Sequence, residues 1–303
     1  MTVRPSGTQF EITAGENQVS IVEVGGGIRS FLAGGRPVLD GYDVAERCTG
    51  ARGLPLIPWP NRLADGAYTF DGTDHQVPLT EPDKHNAIHG FLRWRSWTAR
   101  EHTTNRVVMG TVLHPMMGYP FTLDVTVAYT LSERGLTVHT TATNLGEQPC
   151  PYGGGQHPYL TLGTELIDPC TLQLDAGHWL PTNDRGLPTG AEPVNGSPYD
   201  FRAARGIGHQ DVDYTFTDLA RDANGLAWVR MSAPDGRYAD VWLDESYPFV
   251  EIYTAHTQPK PYWRRGLGVE PMTCAPNAFV SGDGLIRLEP GHTASSRWGL
   301  HPG

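Results

Sequence analysis

No stretch of this 303-residue chain runs for the roughly 18 apolar residues that a helix needs to cross a bilayer. The opening MTVRPSGTQFEITAG also lacks the apolar core of a signal peptide, so a cytoplasmic protein with no membrane partner is expected. Positive charge is short as well: Lys and Arg number 23 against 33 Asp and Glu, a formal net charge of -10. A polyphosphate would be repelled by that field, which leaves a neutral or weakly charged small molecule as the expected partner and excludes a general nucleic-acid binder. Cysteine is sparse, and Cys48, Cys150, Cys170 and Cys274 lie far apart with no C-x-x-C pair. Neither a zinc site nor a dense disulfide framework follows from that spacing, and free thiols are expected. No low-complexity linker divides the chain, so residues 1–303 are expected to form one domain. No repeat with a period of 20 to 50 residues is present.

What is plentiful is chain punctuation. With Gly 36 and Pro 25, about a fifth of the residues are turn formers, scattered between short apolar segments. This pattern predicts an all-β protein, a large antiparallel β-sandwich with few short helices. QFEIT, QVSIVEV and IRSFLAG read as an opening set of antiparallel strands. AYTFDGTDHQV reads as a hairpin closed by Asp71-Gly72. Strands are expected near 97–102 and 106–113. FTLDVTVAYTL then alternates Phe121, Leu123, Val125, Val127, Tyr129 and Leu131 with polar residues, one buried face and one wet. LTVHTTATN continues it after a four-residue turn. CTLQLDA, DVDYTF, LAWVRMSA, YADVWLDES and FVEIYTAHT supply further strands, residues 181–210 read as a polar loop, and GLIRLEPGHTASSRWGL reads as a closing strand pair.

The segment from Gly53 to Trp97 has a different character. It carries Trp59, Trp94 and Trp97 as possible flat walls, and Asn61, Arg62, His85, Asn86 and His89 as possible fixed hydrogen-bonding groups, without a helical run to arrange them. Flat walls with convergent polar groups suit a sugar. Three groups elsewhere have the chemistry for proton transfer on a neutral substrate. His157 follows three glycines, which would let main chain approach a ligand or take a positive φ. His89 ends HNAIH. Glu270, in GVEP, has apolar and proline neighbours, where desolvation would raise a carboxyl pKa unless a cation such as Arg62 opposes it.

Taken together and in order, NRLADGAYTFDG, HNAIHG, QHPYLTLG, DVDYTF and GVEPMTCAPNAF resemble the aldose 1-epimerase (galactose mutarotase) family over roughly residues 53–280. The resemblance implies a supersandwich with a cleft on one sheet, and interconversion of the α and β anomers of a small-molecule aldose with no metal or organic cofactor, by a monomer or homodimer. It implies that Glu270 is the general base at the C1 hydroxyl and His157 the general acid at the ring oxygen. It further implies that Arg62, His89 and Asp213 bind the sugar, with Asn61 and Trp263 on the cleft wall. On this reading Glu270 is ionised while His157 is protonated, and a nearby carboxylate helps the imidazole keep its charge.

Two departures from the family pattern stand out. Gln156-His157-Pro158-Tyr159 replaces an asparagine- and phenylalanine-rich context, and DVDYTF replaces a DHNF-like sequence, leaving Asp211 as a rival to Asp213. Two other functions remain open. A hexose-6-phosphate 1-epimerase would need a cationic pocket, which Arg93, Arg95, Arg264 and Arg265 could build. A sugar-binding or sensing module would have no use for the Glu270 and His157 pair.

Overall fold

A computed structural model describes residues 3–303, and nearly all of its regular structure is strand. Two large antiparallel sheets dominate, as the glycine- and proline-punctuated alternation predicts. The first has nine strands, in the spatial order 98–102, 106–113, 123–132, 135–144, 293–302, 238–243, 227–232, 171–174 and 205–206. The second has eight: 192–193, 176–180, 213–219, 249–253, 267–272, 155–156 and 55–56, with 159–160 also pairing to 267–272. A four-stranded sheet made from residues 9–37 caps one side, and three two-stranded ribbons complete the set. Among the described residues the single α-helix is the one-turn Ala278–Ser281, and no helix is long and apolar enough to cross a membrane.

The period-two reading is borne out in detail. Leu123, Val125, Val127, Tyr129 and Leu131 are all fully buried, and Leu131 faces Leu136 across the four-residue turn. In the hairpin Tyr68 lies opposite His75, and Asp71 and Gly72 both take positive φ (50° and 76°), the backbone that a two-residue type I′ turn requires. Two expectations fail. Residues 286–288 and 293–302 do not pair with each other: the former joins 150–152, and the latter enters the nine-stranded sheet between 135–144 and 238–243. The long, alternating 293–302 segment finds a deeper apolar seat there, with Trp298 and Leu300 fully buried. The 181–210 loop also contributes two short edge strands, 192–193 and 205–206. All four cysteines are buried free thiols.

One continuous core fills the space between the large sheets. Val127, Val138, Val241 and Trp298 enter it from the nine-stranded sheet, and Phe216, Val250, Ile252 and Val269 from the eight-stranded sheet. Side chains alternate faces along a strand, so the residues between these last four must point the other way. Asp213, Thr215, Glu251, Tyr253, Gly268 and Glu270 therefore share the outer face. Cross-strand partners Thr215 and Glu251, Glu251 and Glu270, and Asp213 and Tyr253 run side by side along it.

Gln156 ties these layers together. Its amide nitrogen donates to the Gly53 carbonyl (3.0 Å) and the Tyr129 hydroxyl (3.1 Å), and its amide oxygen accepts from the Trp298 indole (3.2 Å). Tyr129 in turn donates to the Gly26 carbonyl at 2.8 Å. One buried amide thus links both large sheets to the turn of the N-terminal sheet, one residue before His157. Gln156→Met keeps the volume but strands the Trp298 N–H, whereas the Gly53 carbonyl still accepts from the Ile28 N–H at 3.0 Å. At about 1–3 kcal/mol for an unsatisfied buried group, urea unfolding is expected to show a loss of that size, and an unchanged midpoint would show that the network is not what joins the layers.

Candidate active site

The outer face of the eight-stranded sheet is roofed by loops from the segment 50–94 and from 257–258, leaving a cleft of about 240 Å³. Pockets for drug-sized ligands begin near 300 Å³, so this volume suits a single sugar ring. At its floor Glu270 and His157 meet, Oε1 to Nε2 at 3.1 Å, and both residues are at least 95 % buried. The other polar atom of each, Glu270 Oε2 and His157 Nδ1, has no partner among the described residues. Buried polar atoms are rarely left unpaired, and two such atoms at one floor mark a place built for something else to bind.

His157 is held by packing as well as by its neighbour Gln156. Its ring stacks on Tyr159 at 4.7 Å and 11°, and it meets His89 edge-on at 5.3 Å. Of the two uses open to the three preceding glycines, a close approach of main chain is the one they serve, and none takes a positive φ. A Cβ on Gly153 would sit 2.4 Å from the Cys274 sulfur, and one on Gly155 would sit 2.8 Å from the Pro271 carbonyl. They let the strands of the cleft floor close up beneath the imidazole.

His89 (φ 62°) and Asn61 (φ 54°) are both in left-handed backbone, and the Asn61 N–H donates to His89 Nδ1 at 3.1 Å. That contact places the proton of neutral His89 on Nε2, so the ring presents a donor. His89, His157 and Glu270 offer ligand atoms within 4.8 Å of one another, a donor set that could suggest a metal. The tautomer argues otherwise: a ring that accepts at Nδ1 can ligate through Nε2 only by losing its second proton. The set fits hydrogen bonding to a neutral ligand better than it fits a cation.

Arg62 enters from the strand 62–64, grips Glu81 through Nε and Nη2 at 3.0–3.2 Å, and reaches Asp213 through Nη1 at 3.8 Å. Asp213 lines the cleft, whereas Asp211 is drawn away to Arg264 at 3.1 Å, which separates the two rivals by position. Asn61, Arg62, His89, His157, Asp213 and Glu270 are thus brought to one cleft. Trp263 is not among its lining residues. Its buried neighbour Arg264 is bound to Asp168, Asp211 and two carbonyls, and the indole lies beside that guanidinium, 5.9 Å from ring centroid to Cζ. Of the other early candidates, Trp59 and Trp97 are core, His85 pairs with Asp65 on the surface, and Asn86 braces Glu81 from outside the cleft. Only Trp94, half exposed, reaches the rim.

The four arginines considered for a phosphate site do not converge. Arg264 is spent as above, Arg265 is bound to Asp40 at 2.6 Å, and Arg95 is exposed near Met116. Arg93 alone lines the cleft. Glu81, which lines the cleft, is a residue that sequence reasoning missed, and Glu251 is one that it admits only as a substitute base should Glu270 not be the base. For Glu251 a signal existed, a lone carboxylate inside the apolar run FVEIY, every residue of which is buried. Glu81 sits in the polar stretch TEPDKHN with nothing to distinguish it.

Electrostatics correct the expected charge pattern. Burial first, then the proximity of the acidic groups of Glu251 and Asp213, push Glu270 well above the usual range, and Arg62 opposes this only in part. Burial, then Arg52 and Arg93, push His157 down to about 3. The nearby carboxylate does not keep the imidazole charged, because desolvation disfavours both ions. With the ligand-free pair neutral, the proton resides on Glu270. Since the folded value of about 3 for His157 lies below the ordinary 6.5, the unfolded chain takes up this proton first. The residue's contribution to stability is therefore present above about pH 6.5 and lost as pH falls towards 3. Histidine ¹⁵N NMR of the ligand-free protein is expected to show no protonation of His157 between pH 8 and 5, and an inflection near 6.5 would contradict the assignment.

Comparison with known proteins agrees with this geometry. The sequence profile described as Aldose 1-epimerase matches residues 8–301. The uncharacterized protein YihR of Escherichia coli K12 is 35% identical over 287 residues, covering 94% of this chain and 90% of that protein. An aldose 1-epimerase of the same organism is 28% identical over 213 residues, 67% of this chain and 60% of its own length. In fold, the GalM/aldose epimerase homologue from C. elegans superposes with a TM-score of 0.87 at 18% identity, over 98% of each chain.

Proposed function

This chain belongs to the aldose 1-epimerase family, and from that premise we propose that its cleft interconverts the α and β anomers of a free aldose, with Glu270 as general base and His157 as general acid. The observation that carries the reading is the 3.1 Å contact between these two groups, each with a further buried polar atom left without a partner among the described residues. One proton serves the pair. A C1 hydroxyl donating to Glu270 favours the carboxylate, and a ring oxygen accepting from His157 favours the imidazolium, so substrate draws the proton across the contact. Glu270 then takes the C1 hydroxyl proton while His157 protonates the ring oxygen, and the C1–O5 bond opens. Rotation about C1–C2 and closure on the other face return both protons and give the other anomer. Each positioned transfer contributes roughly 10²- to 10⁴-fold.

Arg62 and Asp213 serve as ligands to hydroxyls, and His89, a fixed Nε2 donor, serves an oxygen near the ring. No step needs a metal or organic cofactor. A free sugar is preferred to a phosphorylated one because Arg93 is the sole member of the considered arginine set at the cleft.

Anomer exchange followed by NMR on fresh α-D-glucose, α-D-galactose and glucose 6-phosphate tests the reading. Acceleration of a free sugar, reduced at least about 10²-fold in kcat with a modest KM change in Glu270→Gln, is expected. Sugar binding without acceleration would leave a binding module, and acceleration of the phosphate alone would favour the phosphorylated substrate. Arg62→Ala is expected to raise KM about tenfold or more through lost hydroxyl contacts, and a variant with unaltered KM would remove Arg62 from the binding set. Dialysis against a chelator is expected to leave the rate unchanged, whereas loss restored by a divalent cation would overturn the metal-free mechanism.

A further inference from the structure

The mechanism above leaves unused a carboxyl buried on the same sheet face as Glu270. Glu251 is 3 % exposed and sits on the middle strand of the cleft floor. The register makes it the direct neighbour of Glu270 on one side and of Thr215 on the other, with Asp213 and Tyr253 in the next row of the same face. Directly opposed side chains on adjacent strands have Cβ atoms about 4.5–5.5 Å apart, so Glu251 and Glu270 lie flank to flank. Cation is scarce around them. Arg62 is the one guanidinium acting on both, and it is already held by Glu81 and shared with Asp213. His157, the other basic group against Glu270, is not charged in the ligand-free cleft.

Two carboxylates side by side in a dry site cannot both ionise. Asp213, at 31 % side-chain exposure and facing Arg62, is the member of the trio best able to carry its charge. We propose that Glu251 is the proton-holding positioning residue of this cleft: it stays a neutral carboxylic acid throughout turnover, so that the ionisation required of the adjacent Glu270 becomes possible. This inference rests on Glu270 being the base. Thr215, whose hydroxyl bonds Glu251 Oε2, fixes the orientation of that acid. Burial and the Asp213 charge act in the same direction, pushing Glu251 well above the usual carboxyl range. Were Glu251 ionised, its charge would lock the proton onto Glu270 and silence the base.

Infrared spectroscopy tests the protonation state without any reference to activity. In Glu270→Gln at neutral pH a protonated-carboxyl band is expected to persist, and to shift when Thr215→Val is added. Absence of that band overturns the proposal even if the protein proves to be an active epimerase. Kinetics provide the second reading. Glu251→Gln, a neutral isostere, is expected to retain kcat within about fivefold and to move the acid limb of the kcat–pH profile by less than about half a unit, whereas Glu251→Ala loses at least about tenfold. A loss in Glu251→Gln equal to that of Glu270→Gln, or an acid limb displaced by a unit or more, would show that Glu251 carries charge and overturns its role. If no aldose is turned over at all, the infrared result still decides the protonation of Glu251, so failure of the epimerase reading and failure of this one are separately visible.

Discussion

The cost of holding charge away from water governs the organisation of this cleft. A β-sheet presents two faces, and here the inner one is committed to the core between the large sheets, so the outer face of the eight-stranded sheet is where chemistry can sit. Loops roof that face until Glu251 and Glu270 are nearly as buried as the valines on the other side. In such surroundings every ionisation must be matched or forgone. Arg62 matches Glu81 and part of Asp213, while the Glu270 and His157 pair forgoes charge by keeping its proton on the carboxyl. A pair that is neutral when dry and polarised by a hydroxylated ligand is suited to bind sugars and to resist stray ions.

The scaffold beneath has to keep two side chains from different strands within hydrogen-bonding distance. Glu270 is fixed by the ladder of 267–272 with 249–253, a regular five-residue register. His157 lies just past a two-residue strand, where its N–H donates to the Leu54 carbonyl at 3.1 Å and its carbonyl accepts from the Gly53 N–H at 2.8 Å, a shorter pairing than that of Glu270. Its side chain is held further by the neighbouring Gln156, whose amide bonds the Gly53 carbonyl and two side chains of the nine-stranded sheet, by the close approach allowed by Gly153 and Gly155, and by the Tyr159 ring on which it stacks. Precision at His157 therefore owes more to tertiary contacts, and precision at Glu270 is largely a property of the sheet.

Several features were legible in the chain alone. The alternation of Leu123 to Leu131 requires a half-buried strand, and Asp71-Gly72 permits the tight hairpin, because both depend on neighbours a few residues away. The ordered motifs containing Arg62, His89, His157, Asp213 and Glu270 supplied residues that do converge on one cleft. Trp263 was misplaced because the neighbouring Arg264 is anchored by Asp168 and Asp211, partners 96 and 53 residues distant. The closing strands were paired wrongly because proximity in sequence says nothing of the vacant seat between 135–144 and 238–243.

What the sequence by itself determined is composition and local period: an all-β chain, turns at glycine and proline, and an inventory of carboxyl, imidazole and guanidinium groups. Tertiary structure alone decided their states. Whether Glu270 is ionised, which nitrogen of His89 bears the proton, and which aspartate faces the cleft depend on burial and on partners from remote strands. Electrostatic free energy falls with distance in space, and separation along the chain does not enter it.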